Sequence, residues 1–223
     1  MWIDNQIFEH SHHQVCLRNY VVNETCVVLG RSNKAELECN LDHTSADGIP
    51  ILKRAGGGGT VLLYSGCAIV SLGLWLDHPF NNQYFFEQIN DSVASSVNDI
   101  LNQTQPIRQR GISDLAVGDR KIAGTSMFRS KGYLLYQASI IVDLDIQLIE
   151  RYLAHPSSEP DYRRGKSHRD FLAGLSEFDV NLSSQKLVEG FDKYLEVHLM
   201  NRLSKHLVEP DLAHVKHLKS RIR

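Results

Sequence analysis

Hydrophobic and polar positions change period along the chain, and each change predicts a boundary between strands and helices. Apolar runs rich in β-branched residues, bounded by turn-forming residues, predict strands. Residues 15–30, VCLRNYVVNETCVVLG, predict two strands with Asn-Glu-Thr as the turn between them. Further strands are predicted in IPILKR (49–54) and on both sides of Ser65-Gly66 in GTVLLYSGCAIVSLGLWL (59–76).

Three other segments carry apolar residues at the spacing of an amphipathic helix. The first is NNQYFFEQINDSVASSVNDILNQ (81–103), with apolar residues at positions 85, 86, 89, 93, 97, 100 and 101. The second is DIQLIERYLAH (145–155), which ends before Pro156. The third is SSQKLVEGFDKYLEVHLMNRL (183–203), and its opening serines predict an N-cap at Ser183 or Ser184.

The second half of the chain also contains strand patterns and one segment without a period. Strands are predicted in 114–128, with Gly118-Asp119 as a hairpin turn, and in 132–144. Residues 156–175 show no period and are rich in Arg, Lys and His, which predicts an ordered surface loop. We expect the basic stretch from Glu209 to Arg223 to be loosely held.

Helices and hairpins without a regular βαβ alternation predict an α+β fold. The sheet is expected to be mostly antiparallel or mixed, and flanked by helices. We expect one catalytic domain over residues 1–203 and a basic C-terminal tail over residues 204–223.

The composition and net charge of the chain restrict the kinds of molecule that we expect it to bind. The net charge of -2 gives no general electrostatic attraction to nucleic acid or to anionic membranes. No apolar run reaches the roughly 18 residues of a transmembrane helix, and the N-terminus lacks the pattern of a signal peptide. We therefore expect a cytoplasmic protein without nucleic-acid or membrane partners. The four cysteines lack zinc-site spacing, so no metal site built by the protein alone is predicted.

A run of four glycines, residues 56–59, follows the basic pair Lys53-Arg54. Glycine permits close approach of the backbone to another group, and exposed N–H groups beside a cation favour a phosphate or carboxylate. The run is not a P-loop, because no Gly-Lys-Ser/Thr follows, and the strand after it does not match a Gly-x-Gly-x-x-Gly turn. On these residues alone, a structural hairpin and a binding loop are equally good interpretations.

Lys121 is the second candidate, because it stands on a short strand directly after a turn. A lysine that points into a cleft can hold an acyl carboxylate, and then an acyl phosphate, by charge. The alternative is an exposed hairpin lysine without a function.

Taken together, these segments resemble the lipoate–protein ligase A family, within the biotin and lipoate protein ligase catalytic-domain superfamily. The resemblance covers roughly residues 17–175, and its motifs occur in the family's order. They are VVLGRSN with ECN, KRAGGGGTV, SDLAVGDRKIAGTS, YQASIIVDLD and PSSEPDYRRGKSHRDFL.

The resemblance implies a central sheet flanked by helices, with a pocket for an acyl chain and AMP. It implies that lipoate or octanoate is activated as acyl-AMP with ATP and Mg²⁺, and is then transferred to a lysine of a lipoyl carrier domain. The implied partners are the lipoyl domains of 2-oxoacid dehydrogenase E2 subunits or the glycine cleavage H protein. An accessory domain protein is a further expected partner.

The resemblance also implies roles for individual residues. Lys121 is expected to stabilise charge on the carboxylate, and Asp114 to orient the attacking lysine or help to place magnesium. A slot for the acyl chain is expected along Val61, Leu63 and Ile140, together with Ala138. The residues expected to bind the acyl group or the nucleotide are Arg31, Arg54, Gly56, Gly57, Gly58, Gly59, Thr60, Val61, Gly124, Thr125, Gln137 and Ala138.

Departures from the family pattern keep two alternatives open. Leu63, Tyr64 and Cys67 stand where ligases commonly have a His-Asp pair and an asparagine, and residues 137–139, Gln-Ala-Ser, replace a His-Gly-Thr. One alternative is an octanoyl or lipoyl acyltransferase that uses acyl carrier protein without ATP, with Cys67 as nucleophile. The other is a non-catalytic relative that binds an acyl-adenylate or a partner protein.

A basic cluster formed by Arg163, Arg164, Lys166 and Arg169 has two interpretations. It is either a solvated loop or a docking site for an acidic carrier domain or for ATP phosphates.

Overall fold

The computed structural model describes residues 5–78, 80–101 and 106–220, and most of its strands join one large sheet. The strands are β1 (Val15–Val21), β2 (Cys26–Leu29), β3 (Ile51–Lys53), β4 (Val61–Leu63), β5 (Cys67–Trp75), β6 (Ile107–Arg110), β7 (Asp114–Val117), β8 (Arg120–Ser130) and β9 (Tyr133–Ile141). The helices are α1 (Asn5–Glu9), α2 (Ala35–Glu38), α3 (Leu41–Ala46), α4 (Asn82–Leu101), α5 (Ile146–Tyr152), α6 (His168–Phe171), α7 (Ser184–Leu203) and α8 (Leu212–Ser220).

The large sheet has six strands in the order β1-β5-β9-β8-β7-β6, and every neighbouring pair is antiparallel. A smaller sheet has the order β3-β2-β4, in which β2 runs parallel to β3 and antiparallel to β4. The α+β class and the mostly antiparallel or mixed sheet are therefore confirmed. The hairpin at Gly118-Asp119 is also confirmed, because β7 pairs with β8.

The two strands predicted in residues 15–30 are confirmed, but they do not pair with each other as a hairpin. Strand β1 pairs with β5 in the large sheet, whereas β2 is the central strand of the small sheet. All four residues of β2 are buried, while every residue of β1 is half-buried. A strand buried on both faces needs neighbours on both sides and cover above and below, and a simple hairpin provides neither.

Side chains of β5 alternate between two cores, and this alternation sets the layers of the fold. Ala68, Val70, Leu72 and Leu74 belong to the core that contains the buried faces of α4 and α7. Cys67 and Ile69 point the other way, into the core that contains the small sheet. The large sheet is thus covered by two long helices on one face and by the small sheet on the other.

The three predicted helices are confirmed, with shifted ends. Ser183 is the N-cap of α7, and its hydroxyl accepts a hydrogen bond from the backbone N–H of Lys186 at 3.2 Å. Helix α5 ends earlier than predicted, because the backbone is extended at Leu153. Helix α4 matches its prediction to Leu101, and residues 102–103 lie outside the described residues.

Residues 156–170 are mostly exposed or half-buried, as predicted for a surface loop, but the end of the segment 156–175 is packed against the sheet. That end is buried, and the backbone N–H of Ala173 donates to the carbonyl of Lys121 at 2.9 Å. Leu172 also forms a parallel bridge with Lys121. This segment is therefore pinned to the start of β8, and it forms a wall beside that strand.

Part of the predicted loose tail is also packed. Val215 and Leu218 of α8 are buried in a third core with Ile7 and Phe8. Apolar residues at helical spacing explain this packing, since α8 buries one face against α1. Among the helices of the described ranges, none combines the length and apolar character that crossing a membrane requires.

Candidate active site

A cleft of about 760 Å³ lies between the small sheet and the face of the large sheet that carries Lys121. Its lining includes the end of the glycine run, parts of β7 and β8, and a wall formed by residues 156–172. This volume is within the range of ordinary small-molecule sites.

A β-bulge places Lys121 on the cleft side of β8. Across the β7–β8 ladder, Leu115 pairs with Ala123 and Ala116 pairs with Lys121, so Ile122 is an extra residue. Residues three apart in a regular strand face opposite sides, but one inserted residue brings Lys121 and Gly124 to the same side. Both residues line the cleft, and Ile122 is buried in the core that faces α4 and α7.

Lys121 and Asp114 form an ion pair that is linked to the wall. Lys121 Nζ lies 2.7 Å from Asp114 Oδ1, and the side chains are 22% and 8% exposed. The Tyr162 hydroxyl donates to Asp114 Oδ2 at 2.9 Å. Burial, followed by the charge of Asp114, raises the pKa of Tyr162 above its usual range, so the phenol remains a hydrogen-bond donor. The carboxylate thus orients the ammonium while being held itself.

Arg54 organises the glycine loop from inside. Its side chain is buried, and Nη2 donates to the carbonyls of Gly57 at 2.8 Å and Gly59 at 2.6 Å. Nε also donates to the Gly57 carbonyl at 3.2 Å. Because these carbonyls are turned towards a guanidinium, the loop keeps one conformation despite its glycine content.

Two glycines in this region are required by geometry. Gly58 has a φ of +91°, a conformation that side chains disfavour. A Cβ atom on Gly30 would lie 2.1 Å from the carbonyl oxygen of Gly58, so the turn after β2 and the glycine loop touch through their backbones. Asn33 adds a side-chain contact, with Nδ2 donating to Thr60 Oγ1 at 3.1 Å.

A recess of about 70 Å³ lies beside the cleft and shares Lys121, Asp114 and Gly124 with it. Val61 and Leu63 supply apolar lining, as expected for an acyl slot. Ile140 does not, because it belongs to the core that faces the helices. Ala138 belongs to that core and also borders the recess.

The structure divides the expected binding residues into three groups. Gly58, Gly59, Thr60, Val61 and Gly124 line the cleft together with Lys121 and Asp114. Arg54, Thr125, Gln137 and Ala138 line the recess. Arg31, Gly56 and Gly57 line neither cavity, although the backbone N–H of Arg31 donates to the Gly56 carbonyl at 3.0 Å.

The residues that stand in place of the His-Asp pair and the asparagine all border a cavity: Tyr64 and Cys67 line the cleft, and Leu63 lines the recess. The Tyr64 hydroxyl donates to the carbonyl of Asp143 at 2.8 Å and accepts from the backbone N–H of Asp145 at 3.1 Å. Cys67 is 1% exposed, and burial raises the pKa of its thiol to about 12. The thiolate form of Cys67 is therefore scarce at neutral pH.

Tyr162 and His168 line the cleft although they were not among the residues expected to act or bind, and Arg163, expected only as a member of the basic cluster, lines it too. Burial lowers the pKa of His168 to about 4, with help from the charges of Arg163, His155 and Lys121. His168 is therefore neutral at pH 7. Arg163 is buried, unlike the exposed Arg164, so the basic cluster is not one uniform surface. The only sequence signal for these residues was the mixture of aromatic, His and Arg residues in a segment without a period.

The residues that line the cleft fit a nucleotide phosphate better than a free metal ion. Lys121 and the backbone of Gly58 and Gly59 line the cleft together, and a cation beside accessible glycine backbone is a feature of anion sites. No group of three or more His, Cys, Asp or Glu side chains that could hold a metal occurs in the described part of the chain. Mg²⁺ is usually held by one or two carboxylates and by substrate phosphates, and the exposed Asp161 also lines the cleft.

Comparison with known families gives one match over most of the chain. The model of the lipoyl protein ligase A/B catalytic domain matches residues 1–196. Among curated proteins, lipoate-protein ligase A of Psychrobacter cryohalolentis is 27% identical over 203 residues, which is 86% of this chain and 55% of that protein. Lipoate-protein ligase A subunit 1 of Thermoplasma acidophilum is 25% identical, over 78% of this chain and 70% of that protein. Octanoyltransferase LipM of Clostridioides difficile is 22% identical, over 90% of this chain and 83% of that protein.

Solved structures give the same result for the fold. A bi-partite lipoate protein ligase from Thermoplasma acidophilum, described with its E2 lipoyl domain, has a TM-score of 0.70 at 20% identity and covers 99% of this chain and 90% of that chain. A lipoate-protein ligase A bound with ATP also has a TM-score of 0.70, at 21% identity, with 98% and 86% covered. The expected fold type is thereby confirmed. The chain spans about half the length of some curated relatives, including the Psychrobacter ligase.

Proposed function

Because this chain belongs to the lipoyl protein ligase A/B catalytic domain family, we propose that it activates lipoate or octanoate with MgATP and transfers the acyl group to a lipoyl carrier domain. In the first step a carboxylate oxygen bonds to the α-phosphorus of ATP, and pyrophosphate leaves. In the second step the carrier's lysine amine attacks the acyl carbonyl, AMP leaves, and the amine loses a proton. The Lys121–Asp114 pair at the cleft is the observation that carries this proposal.

Lys121 is proposed to stabilise negative charge in both steps. Its ammonium is aligned by Asp114, which is buried and accepts a further hydrogen bond from Tyr162. A cation that is already oriented needs little reorganisation when charge develops on the carboxylate or phosphate oxygens. Gly124 leaves room for this side chain, since a Cβ atom there would lie 3.1 Å from Lys121 Nζ.

The glycine loop is proposed to hold the nucleotide by its backbone. Arg54 fixes the loop through the carbonyls of Gly57 and Gly59, so its role is to shape the cradle from behind. Gly58, Gly59 and Thr60 line the cleft itself. Bound Mg²⁺ would neutralise phosphate charge, and Asp161 is the carboxylate we propose to hold it, because both oxygens of Asp114 are already engaged.

The proposed acceptors are lipoyl domains of 2-oxoacid dehydrogenase E2 subunits or the glycine cleavage H protein, and the proposed location is the cytoplasm. The E2 lipoyl domain described with the Thermoplasma ligase supports the first of these acceptors. The bi-partite make-up of the Thermoplasma ligase supports an accessory subunit as a further partner.

An acyltransferase that takes octanoate from acyl carrier protein is the second candidate, because the octanoyltransferase LipM is among the relatives. In that reaction the acyl group leaves the carrier thiol for an enzyme nucleophile, and passes from there to the lysine. Cys67 is the proposed nucleophile of this alternative, and its burial and raised pKa weigh against it.

The test combines the purified protein with lipoate, MgATP and an apo lipoyl domain. Pyrophosphate release that depends on lipoate, with a matching mass increase of the carrier, supports the ligase. Loss of both signals in Lys121→Met, with an unchanged circular dichroism spectrum, links the activity to the pair. Octanoyl transfer from acyl carrier protein without ATP supports the second candidate instead. Absence of both activities, with and without preformed lipoyl-AMP, contradicts both.

A further inference from the structure

Arg163 lies in the wall of the cleft and is held from two sides. Only 5% of the residue is exposed. Its Nε donates to the carbonyl of Lys166 at 3.0 Å and lies 3.4 Å from Glu159 Oε2. The guanidinium carbon is 4.8 Å from the centroid of the Phe171 ring. These contacts fix the plane of the guanidinium group before any ligand binds.

One terminal nitrogen of this guanidinium lacks a hydrogen-bond partner among the described residues. This atom is Nη2 of Arg163, and it is buried. Almost all buried polar atoms in native proteins are hydrogen-bonded, and a charged donor is the costliest kind to leave unpaired. Since Arg163 lines the cleft, a ligand that supplies an acceptor is the simplest completion of this group.

The surroundings select an anionic acceptor. The charges of Arg163 and Lys121 both act on His168, so the two cations lie near the same imidazole. Because burial keeps that imidazole neutral at pH 7, it adds no charge of its own. Glu159 and Asp114 are near Arg163, and each also has another partner, Glu159 through Gly165 and Asp114 through Tyr162. The planar fork of a guanidinium group matches the oxygens of phosphates and carboxylates, and its hydrogen bonds to such anions are stronger than those to neutral acceptors.

We propose that Arg163 binds a phosphate-ester oxygen of the activated acyl substrate through Nη2, with Lys121 on the same anion or its neighbour. This inference rests on the proposed function and extends it to a residue of the wall. The phosphate comes either from acyl-AMP or from the phosphopantetheine arm of an acyl carrier, and in both cases the free acid lacks it. Arg163 therefore distinguishes the activated substrate from unactivated lipoate.

The test measures binding of three probes by calorimetry: lipoyl-AMP, octanoyl-phosphopantetheine and lipoic acid. The variants are Arg163→Gln, Arg163→Lys, which keeps the charge but lacks Nη2, and the exposed neighbour Arg164→Gln as the matched control. We expect both Arg163 variants to bind the phosphate-containing probe at least about tenfold more weakly, as for one lost charged hydrogen bond. Lipoic acid should bind unchanged, and Arg164→Gln should match the wild type with all probes.

The outcomes separate the two hypotheses. A selective loss for lipoyl-AMP supports Arg163 with the ligase, and a selective loss for octanoyl-phosphopantetheine supports it with the transferase. Equal affinity of the wild type and both Arg163 variants overturns the role of Arg163 and leaves the proposed function standing. A wild type that binds none of the probes overturns the proposed function and the inference together. If Arg163→Gln lowers the melting temperature, the affinities of Arg163→Lys and the wild type are compared instead.

Discussion

Lys121 Nζ lies 2.7 Å from Asp114 Oδ1, across the bulged ladder between β7 and β8. The other oxygen of the same carboxylate accepts from Tyr162 at 2.9 Å. One buried carboxylate therefore joins the strand that carries the cation to the wall of the cleft. This arrangement allows structural and catalytic effects of the pair to be separated by mutation.

Lys121→Met should remove pyrophosphate release and also destabilise the protein. It leaves the buried Asp114 carboxylate with Tyr162, a neutral donor, as its remaining side-chain partner among the described residues. Breaking such a pair costs up to about 3–5 kcal/mol, and less here because Lys121 is partly exposed. The double variant Asp114→Asn/Lys121→Met should recover most of the stability in urea unfolding and none of the activity. A double variant that regains activity would show that the ammonium is dispensable.

The glycines of the loop should differ sharply in their tolerance of alanine. Gly58→Ala places a side chain at a φ of +91°, which costs about 1–3 kcal/mol and distorts the cradle, so the apparent KM for ATP should rise. Gly57→Ala is the matched control, because a Cβ there meets nothing within 4 Å. Thermal unfolding and pyrophosphate release measure both effects. Equal behaviour of the two variants would contradict a cradle built around Gly58.

Cys67 should be inert as a thiol. It is 1% exposed and burial raises its pKa to about 12, whereas Cys16 is half-buried. Native protein treated with iodoacetamide at pH 7.5 should therefore be labelled at Cys16 before Cys67, as read by peptide mass spectrometry. Ligase activity of Cys67→Ala should stay within about threefold of the wild type. Complete loss of ATP-independent acyl transfer in this variant would instead identify Cys67 as a nucleophile.

His168 should make stability depend on pH below neutrality. Its pKa is about 4 in the folded protein and near 6.5 when unfolded. The unfolded chain binds the extra proton between these values, so stability falls as the pH drops from about 6.5 to 4. His168→Gln should reduce the fall in melting temperature over that window. Above pH 7 the melting temperatures of the wild type and the variant should differ by a constant amount. The same pH dependence in both proteins would exclude a buried neutral His168.

Most of the helices and strands could be predicted from the pattern of apolar residues, because long amphipathic helices and buried strands have strongly periodic or continuous apolar sequences. Helices α4 and α7 are examples, and residue type limited the cap of α7 to Ser183 or Ser184, of which the structure uses Ser183. The pairing of β1 was not predictable in the same way. Proximity in sequence favoured a hairpin with β2, whereas the partner chosen is β5, more than forty residues away.

The candidate site was predicted in part for a similar reason. Short motifs identified Lys121 and the glycine run, but no local pattern encodes the extra residue at Ile122 that decides which side Lys121 faces. Arg54 was expected to bind the substrate or nucleotide, whereas in the structure it is buried and donates to carbonyls of the loop that it precedes. Tyr162 meets Asp114 only because the wall folds back over β7, a contact of long range in sequence.

The hydrogen bond from Ala173 to the Lys121 carbonyl has a mechanical consequence. The main chain of Lys121 anchors the wall while its side chain carries the charge, and Arg120 holds the Leu172 carbonyl beside it at 2.7 Å. The wall is thus attached to the main chain of Lys121, the residue proposed to act in catalysis. Any displacement of residues 172–173 away from the sheet pulls on the peptide of Lys121. The wall therefore cannot move outwards to admit a larger substrate without disturbing the alignment of the Lys121 ammonium.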